Sequence, residues 1–543
     1  MKIDFHVRHF ISSACIALFA GSVSVIAQES TPAVSVQAPV TLDRNAYLHY
    51  LLALRFANEG VTYTALHEAA ASLRAQAVNN PAAGIAFQLI TAQRQDTHVR
   101  FCCFQGKTIF VRYSVDGTRI LTALDDKTIR VWDAATAHSL VSPMMHEADI
   151  LDVAWSADGK RIASSSRDGK VHLWDAASGK PVRQPFVVEQ PITHLAVSPN
   201  GEFILGSHKG AVSVWNTKTG AVVSPKPYHD DINVLSFSND GKYALIATND
   251  DAADIVDPAT AKRLHRLSPG NAVFHGSFSN DSRFALTASE DHTAQIWDAS
   301  TGAAKGTGFR HSATVSDAEF NRDGALVLTT SYDHSARVWD AQTGRALTPP
   351  MQHSAPVVQG GFSADGTLIF TRSRDKMVHL WSVANGEPVA TPIQNVGDHS
   401  DVAFSPTEPK LLVAIDNAVE MVDVVPGETA PTWLADLADF EASRSRFDQA
   451  PVQNRETIET LRRAVLASND PDRWSQFARW YFAVPQERTV SPWSGISLAQ
   501  YVDELIQMNT PDSLEYAAKI STGHPAWLLR IEREKKLRAG DGR

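Results

Sequence analysis

Residues 156–175 read SADGKRIASSSRDGKVHLWD, and this stretch decides the fold. The Asp-Gly pair at 158–159 is typical of a tight hairpin turn between two strands. Apolar and polar residues alternate from Lys170 to Trp174, as they do in a half-buried strand. A further turn follows the Trp174-Asp175 pair, with a glycine at 179. The stretch therefore predicts a β-hairpin whose second strand ends in Trp-Asp.

The same pattern recurs eight times between residues ~97 and 425. Successive Trp-Asp pairs, or variants of them, stand 41 or 42 residues apart, and the Ser-x-Asp-Gly turn recurs independently every 40 to 42 residues. Because both markers keep one phase, they define one structural repeat rather than a chance match. The strand-ending residues are Trp132, Trp174, Trp215, Val256, Trp297, Trp339, Trp381 and Val422, and the turns begin at Ser114, Ser156, Ser198, Ser238, Ser279, Asn321, Ser363 and Ser405.

The repeat resembles that of WD40-repeat β-propeller proteins, of the exported bacterial type with helical flanking regions. That resemblance implies four-stranded blades around a channel. We predict a mainly β fold, an eight-bladed propeller over 97–426, with α-helical extensions at both ends. Seven blades, with the last unit outside the ring, is the alternative. A strand within Thr97–Phe104 would supply the missing outer strand of the last blade and close the ring.

The resemblance also implies a buried quartet of His, Ser or Thr, Asp and Trp within a blade. A buried carboxylate is costly unless it is hydrogen-bonded, and repetition around the ring indicates a structural role rather than catalysis. Asp126, Asp250, Asp291 and Asp416 also stand at the Asp position, and His229 at the His position with a one-residue shift. The quartet residues that we assign are His146, Asp168 and Trp174; His311, Asp333 and Trp339; and His353, Asp375 and Trp381.

The N-terminus reads as an export signal. Lys2 and Arg8 precede an uncharged apolar run, and Val25-Ile26-Ala27 places small residues before a cleavage site at Gln28. We therefore predict a signal peptide over 1–27, a linker over 28–42 and a periplasmic or extracellular location. An uncleaved membrane anchor is the alternative; after cleavage no membrane contact is expected. Cys102 and Cys103 are adjacent and are predicted to pack as small apolar residues on a strand.

Helical patterns flank the propeller on both sides. Residues 43–96 show apolar residues at helical spacing, with Leu48, Leu51 and Leu52 as the first apolar face. We interpret this segment as a helical cap or arm packed on the propeller, with tetratricopeptide-like repeats as the alternative. Residues 427–543 form a second helical region, in which Ser497 is a helix cap and Thr510-Pro511 is typical of a helix start.

Composition excludes several function classes. The chain has 50 basic and 60 acidic residues and a formal charge of −10, so a nucleic-acid partner is not expected. The sequence contains no nucleotide-binding motif, no zinc-protease motif and no G-x-S-x-G nucleophile elbow of the α/β-hydrolases. The acidic stretch at 250–257 coincides with repeat positions, which argues against a metal site. Quinone-dependent dehydrogenases also use eight-bladed propellers, but the tryptophan that follows their turns is missing, so no cofactor is expected.

We predict a non-catalytic protein–protein interaction scaffold. It binds protein or peptide partners on the face formed by the turns that contain the quartet Asp. The residue before each quartet Asp points toward that face, and Arg167, Tyr332 and Arg374 are of the types enriched at binding hot spots. The alternative is that these three are ordinary solvated loop residues with no role in binding. The alternative function is an exported propeller enzyme, quinone-dependent or hydrolytic, with an active site at the channel mouth.

Overall fold

The computed structural model describes residues 44–540, apart from 59, 77–79, 94–98, 103–106, 228–231, 250–251, 394–400, 409, 416–417, 425–429, 447–451, 468–469, 471, 484–487, 495 and 522–523. The predicted signal peptide and linker, and the assignments of Cys103, His229, Asp250 and Asp416, lie outside these residues.

Each repeat forms one antiparallel sheet, and the eight sheets are the blades of a propeller. The Ser-x-Asp-Gly motif makes the turn between the first two strands: in blade two, Ser156 Oγ donates to Asp158 Oδ1 at 2.6 Å. Gly159 follows at a φ of 64°, a left-handed conformation that glycine adopts without steric cost. The predicted eight-bladed fold with helices at both ends is confirmed.

The strands follow in chain order from the channel outward in each blade. Blades one to four consist of β2 (Thr108–Tyr113), β3 (Arg119–Leu124), β4 (Thr128–Asp133), β5 (Met144–Met145); β6 (Ile150–Trp155), β7 (Arg161–Ser166), β8 (Lys170–Asp175), β9 (Phe186–Val187); β10 (His194–Val197), β11 (Phe203–His208), β12 (Ala211–Asn216), β13 (Val222–Pro227); and β14 (Ile232–Phe237), β15 (Ala244–Thr248), β16 (Ala253–Asp257), β17 (Lys262–Leu267).

Blades five to eight repeat this order, and β1 (Val99–Cys102) joins the last of them. They consist of β18 (Val273–Phe278), β19 (Phe284–Ser289), β20 (Thr293–Asp298), β21 (Ala304–Arg310); β22 (Val315–Phe320), β23 (Leu326–Ser331), β24 (Ser335–Asp340), β25 (Met351–Gln352); β26 (Val357–Phe362), β27 (Leu368–Ser373), β28 (Val378–Ser382); and β29 (Val402–Phe404), β30 (Lys410–Ile415), β31 (Ala418–Asp423).

The strand upstream of the first repeat closes the ring. β1 pairs antiparallel with β31, with Val99 opposite Met421 and Cys102 opposite Ala418. The innermost strand of blade one also contacts strands of blade eight. The predicted closure is therefore confirmed, and it leaves the last blade with four strands built from both ends of the propeller.

The outer edge of blade seven is described only in part, because residues 394–400 lie outside the described residues. Up to Ile393 the segment pairs with β28 as the outer strands of other blades do: Ile393 bridges Val378, as Phe186 of β9 pairs with Val171 in blade two. The described part of this connection therefore agrees with the predicted outer strand.

Nine helices flank the propeller within the described residues, and none of them is long and apolar enough to cross a membrane. Ser497 and Thr510 each cap a helix through a reciprocal capping box, as the sequence predicts. The helices are α1 (Arg44–Asn58), α2 (Thr62–Ala75), α3 (Ala82–Gln93), α4 (Trp433–Arg446), α5 (Val452–Ala467), α6 (Arg473–Phe482), α7 (Leu498–Met508), α8 (Pro511–Ile520) and α9 (Pro525–Gly540).

The helices of both chain ends share one hydrophobic core. Residues of α1 to α3 pack with residues of α4 to α6, and Phe87 lies 5.0 Å from Phe477, measured between ring centroids. This helical module contacts the outer edge of blade seven, where Tyr50 Oη donates to the carbonyl of Pro388 at 2.6 Å. Helices α7 to α9 pack separately against blades one and eight. Both groups of helices therefore pack beside the closure of the ring.

Helix α1 does not bury the face that the sequence predicts. Ala46, Tyr50 and Ala53 are fully buried, whereas Leu48 is 53% exposed and Leu51 is 40% exposed. The two alanines allow α1 to lie close to α2, where Ser72 Oγ donates to the carbonyl of Ala46 at 2.7 Å. Hydrophobicity alone predicted that the leucines would be buried. Close packing of α1 on α2 requires small residues at the contact, so the alanines are buried instead.

Candidate functional site

The turns between the second and third strands of the blades form one rim of the propeller. In these turns the residue before the quartet Asp follows directly after the second strand, as Tyr332 follows β23 and Arg374 follows β27. The residue after that Asp adopts a positive φ, 68° at His334 and 67° at Lys376, which tightens the turn. The local geometry thus projects one side chain per blade from this rim.

The structure brings Tyr332 and Arg374 together across neighbouring blades. Arg374 Nη2 donates to Tyr332 Oη at 2.8 Å, and the guanidinium carbon lies 4.6 Å from the centroid of the tyrosine ring. Arg374 is exposed and Tyr332 is half-buried. The contact combines a hydrogen bond with a cation–π interaction, so it holds two adaptable side chains in one geometry.

Arg167 occupies the same turn position in blade two and makes a different contact. Its Nε lies 3.3 Å from Asp149 Oδ2, and both side chains are more than half exposed. An exposed ion pair of this kind contributes little to stability. Of the three predicted residues, Tyr332 and Arg374 therefore form a preorganised pair, and Arg167 is solvated at a separate position.

The quartet is closed in blade six. His311 Nδ1 donates to Asp333 Oδ2 at 2.9 Å, and Thr329 Oγ1 lies 2.7 Å from His311 Nε2. Trp339 Nε1 donates to the same threonine oxygen at 2.7 Å. Burial raises the pKa of Asp333, but hydrogen bonds from Ser335 and Ser312 and the nearby His311 outweigh it and hold this pKa well below its usual value.

Blades two and seven differ from the assigned quartet. Trp174 and His146 both bind Ser164, and Trp381 and His353 both bind Thr371. The Nδ1 atoms of both histidines are buried and have no hydrogen-bond partner among the described residues. Asp168 instead accepts from Ser166, and Asp375 from Ser354 and Ser373.

A second histidine explains the difference between these blades. His172 stacks on Trp174 with a centroid distance of 5.0 Å and lies edge-on to His146 at 4.6 Å. His379 contacts Trp381 and His353 in the same way, at 5.5 and 4.6 Å. Blade six has Arg337 at this position. The His-x-Trp spacing was visible in the sequence, but its effect on the quartet was not.

Blades one and five keep part of the quartet without a histidine. Trp132 donates to Thr122 at 3.0 Å and Trp297 to Thr287 at 2.9 Å. Asp126 and Asp291 each cap the turn of their own hairpin, accepting from Thr128 and Thr293. These aspartates therefore stabilise turns, and none of them is gathered into a common pocket.

Polar side chains of the innermost strands bridge neighbouring blades around the channel. Asp152 Oδ2 accepts from the backbone N–H of Leu195 at 2.7 Å, and Asp317 Oδ2 accepts from that of Gly360 at 3.1 Å. We call these bridges the inter-blade belt. Its other members join Asn233 to Val273, His275 to Ala318, Gln359 to Val402 and Arg112 to Asp401.

Sequence reasoning missed the inter-blade belt because its bonds join positions of two different repeats. Asp152 and Leu195 are 43 residues apart, as are Asp317 and Gly360. The available signal is a polar residue four positions before the Ser-x-Asp-Gly turn, where a channel strand would be apolar if it only packed. In six blades that position holds Asp152, His194, His275, Asp317, Gln359 and Asp401. Blades one and four hold Phe110 and Val234 there, and their belt residues Arg112 and Asn233 stand at other positions of the strand.

One group of the belt combines three titratable side chains. His275 Nδ1 lies 2.9 Å from Asp317 Oδ1, and 36% of the His275 side chain is exposed to the channel. Burial lowers the pKa of His275, but Asp317 outweighs it and raises this pKa to about 9. Burial raises the pKa of Glu319 to about 8, and the charge of Asp317 adds to the effect. At neutral pH the group therefore holds an imidazolium–carboxylate pair beside a mostly protonated carboxyl.

In the described part of the chain, no three His, Cys, Asp or Glu side chains are grouped so that they could hold a metal ion. The carboxylates of the channel accept instead from backbone N–H groups and from the cationic side chains of neighbouring blades.

Comparisons with known proteins agree with this architecture. A family model described as the IFT122 first beta-propeller matches residues 108–382. The C-terminal WD40 domain of Sif2 is similar in structure, with a TM-score of 0.53 and 17% sequence identity over 61% of this chain and 98% of that one. The computationally designed Ika8 protein is also similar, with a TM-score of 0.50 and 19% identity over 59% and 97%. No curated protein matches the chain.

Proposed function

Because the chain belongs to the family of the IFT122 first beta-propeller, a WD40-type propeller, we propose that it is a non-catalytic scaffold that binds a protein partner through its Tyr332–Arg374 rim. WD40-type propellers typically serve as platforms for protein interaction. The observation that carries the proposal is the preorganised contact between Tyr332 and Arg374. Tyrosine and arginine dominate hot spots, and a contact formed before binding reduces the entropy lost on association.

Alanine substitution at the rim tests this proposal. The partner is first identified by crosslinking in the native host, and its affinity is then measured for the triple variant Arg167→Ala, Tyr332→Ala, Arg374→Ala. Since truncation of a hot-spot residue typically costs more than about 1 kcal/mol, we expect at least about tenfold weaker binding. Tyr332→Ala and Arg374→Ala account for most of the loss, because Arg167 is solvated.

Two lysines on the opposite rim provide the matched control. Lys160 and Lys242 lie in turns between first and second strands, with side chains 77% and 73% exposed. Their alanine variants keep full affinity if the binding surface is the Tyr332–Arg374 rim. Full affinity of the triple variant, or an equal loss in the lysine variants, would refute the assignment.

We further propose that the protein works outside the cytoplasm after removal of residues 1–27. The support is the sequence of the N-terminus, with two basic residues, an uncharged apolar run and small residues before Gln28. N-terminal sequencing of the protein from its native host is expected to begin at Gln28. An intact N-terminus in the membrane fraction would favour the anchor, and an intact N-terminus in the cytosol would contradict export.

One observation favours the enzyme as a second candidate. His275 and Asp317 pair across neighbouring innermost strands, Glu319 follows two residues after Asp317, and a carboxyl whose pKa is raised to about 8 has the properties of a general acid or base. Turnover of a small ester or glycoside that is lost in Glu319→Gln would support a hydrolase. A change in the optical spectrum on addition of quinone and calcium would support a dehydrogenase instead.

A further inference from the structure

One position of the innermost strands departs from the repeat in blade six. Two residues before the Ser-x-Asp-Gly turn, six blades carry Ala, Ser or Gly, and blade one carries Arg112, which pairs with Asp401. Blade six carries Glu319 at this position. Among the described residues, none donates a hydrogen bond to the Glu319 carboxyl. The repeat therefore does not account for an acidic side chain here.

Glu319 lies where blades six and seven meet. A β-carbon added to Gly361 would lie 3.1 Å from Glu319 Oε2, so this glycine leaves the space that the carboxyl needs. Asp317 stands on the same face of β22, since residues two apart in a strand share a face, and it accepts from the backbone N–H of Gly360. We call Asp317, Glu319, Gly360 and Gly361 the six–seven junction. Two acidic side chains therefore share one contact between blades.

The binding rim depends on the same two blades. Tyr332 belongs to blade six and Arg374 to blade seven, and the hydrogen bond between them crosses from one blade to the other. Next to the junction, Ser316 Oγ donates to the carbonyl of Val357 at 2.6 Å. Because all these contacts join the same pair of blades, a change in blade spacing at Glu319 also changes the Tyr332–Arg374 contact.

Few ionisable groups face Glu319 from the strands packed around it. Asp317 is its neighbour on β22, and His275 of β18 pairs with Asp317. Strands β19, β23 and β26 contain no ionisable residue, and Asp298 of β20 accepts hydrogen bonds within its own turn. Arg372 of β27 donates through Nε to the glutamine opposite it. Among the described residues no cation therefore binds the Glu319 carboxyl directly, and the negative charge of Asp317 disfavours its ionisation.

The charge of Glu319 depends on whether the junction is closed. In the closed junction, burial raises the pKa of Glu319 to about 8, and the charge of Asp317 adds to the effect. In an open junction water reaches the carboxyl, and its pKa returns toward the ordinary value of 4.5. The closed junction thus holds a proton that the open one releases, so a rise in pH from 4.5 toward 8 favours opening. His275, whose pKa Asp317 raises to about 9 against the effect of burial, acts in the same direction.

We propose that the six–seven junction is a pH-sensitive switch of the binding rim, which is preorganised while Glu319 is protonated and loosens when Glu319 ionises. Such regulation rests on the proposed function of the Tyr332–Arg374 rim. Ionisation places two carboxylates on one face of β22, and their repulsion separates β22 from β26. A partner is therefore bound most tightly near neutral pH and is released as the pH rises toward about 9.

Hydrogen exchange of the full chain tests this switch without a partner. The backbone N–H groups of Tyr332 and Arg374 donate to the carbonyls of Thr314 and Pro356, each at 2.9 Å, so their exchange reports opening of the rim. After correction for the intrinsic rate, their protection factors are expected to fall at least about tenfold between about pH 6.5 and 8. In Glu319→Gln, which stays neutral, this fall is expected to be about tenfold smaller.

Two further variants separate the switch from a general loss of stability. Asp152→Asn changes a belt carboxylate on the opposite side of the ring, whose pKa burial also raises, and is expected to keep the pH dependence of the unmodified protein. Glu319→Ala carries the residue found at this position in blades two, three and eight, and is expected to behave as Glu319→Gln does. The proposal is overturned if the unmodified protein shows no such fall, if Glu319→Gln keeps it in full, or if Asp152→Asn reduces it equally. Each of these results would leave the rim itself to be judged by its alanine variants at constant pH.

Discussion

At the scale of single residues, two blades replace the closed quartet by a pair of histidines. His353 and His146 keep their contacts with the hydroxyl and the tryptophan, but each faces a second imidazole instead of a carboxylate. Burial, and after it the neighbouring histidine, lowers the pKa of His353 to about 3 and that of His146 to about 4. Both imidazoles are therefore neutral in the folded protein at neutral pH.

These histidines predict an acid-sensitive fold. The unfolded chain binds protons below about pH 6.5 that the folded chain does not bind, so stability falls as the pH drops from 6.5 toward 4. Each unit of pKa difference is worth about 1.4 kcal/mol at full effect. His379→Phe keeps a ring on Trp381, removes one titrating neighbour and is expected to make the fall in urea midpoint shallower.

The equivalent position in blade five supplies the control for that measurement. Gln295→Phe changes an uncharged residue in a blade that keeps Thr287 and Trp297 but has no quartet histidine. Its urea midpoint is expected to depend on pH as that of the unmodified protein does. If His379→Phe and Gln295→Phe show the same pH dependence, the buried histidine pair does not cause the acid sensitivity.

At the scale of elements, the four residues of β1 join the two ends of the propeller. Val99–Cys102 pairs on one side only, with β31. In an antiparallel pair, alternate residues exchange backbone hydrogen bonds with the partner strand. One of Arg100 and Phe101 therefore donates to β31, and the other does not.

Proline substitutions test the pairing of β1 with β31. One of Arg100→Pro and Phe101→Pro removes a ladder hydrogen bond and is expected to lower the free energy of unfolding by about 1–3 kcal/mol. The other variant serves as its control and changes stability less. Denaturant unfolding measures both, and equal effects of the two would contradict a one-sided antiparallel strand.

Much of this element-scale architecture was predictable from the sequence. The paired markers define the blades, and the count of outer strands indicates that residues near 99–102 must complete the last one. The face that α1 buries was mispredicted, since close packing against α2 favours Ala46 and Ala53 over the leucines.

The candidate site was harder to predict for a physical reason. Tyr332 and Arg374 were selected by residue type and turn position, but their contact depends on how two blades lie against each other. The inter-blade belt has the same origin, because Asp152 and Asp317 bind backbone groups of the next repeat. A periodic pattern specifies each blade well and specifies the junction between blades poorly.

At the scale of the whole molecule, both chain ends depend on one core. Phe477 of α6 is fully buried and lies against Phe87 of α3, although 390 residues separate them in sequence. Phe477→Ala is expected to cost about 3–5 kcal/mol and to reduce hydrogen-exchange protection in α3 as well as in α6.

A surface leucine of the neighbouring helix is the control for this prediction. Leu466 is 52% exposed, so Leu466→Ala is expected to change stability by no more than about 0.5 kcal/mol. Loss of protection confined to α6 in Phe477→Ala would contradict a core shared between the two ends.

The pairing of Val99–Cys102 with Ala418–Met421 also bears on biosynthesis. More than three hundred residues must leave the ribosome after the first strand before its neighbour exists. At about 5–20 residues per second this wait lasts on the order of half a minute. During that time the nascent propeller is an open ring with two uncovered ends. This favours binding of the polypeptide by chaperones until translation is complete.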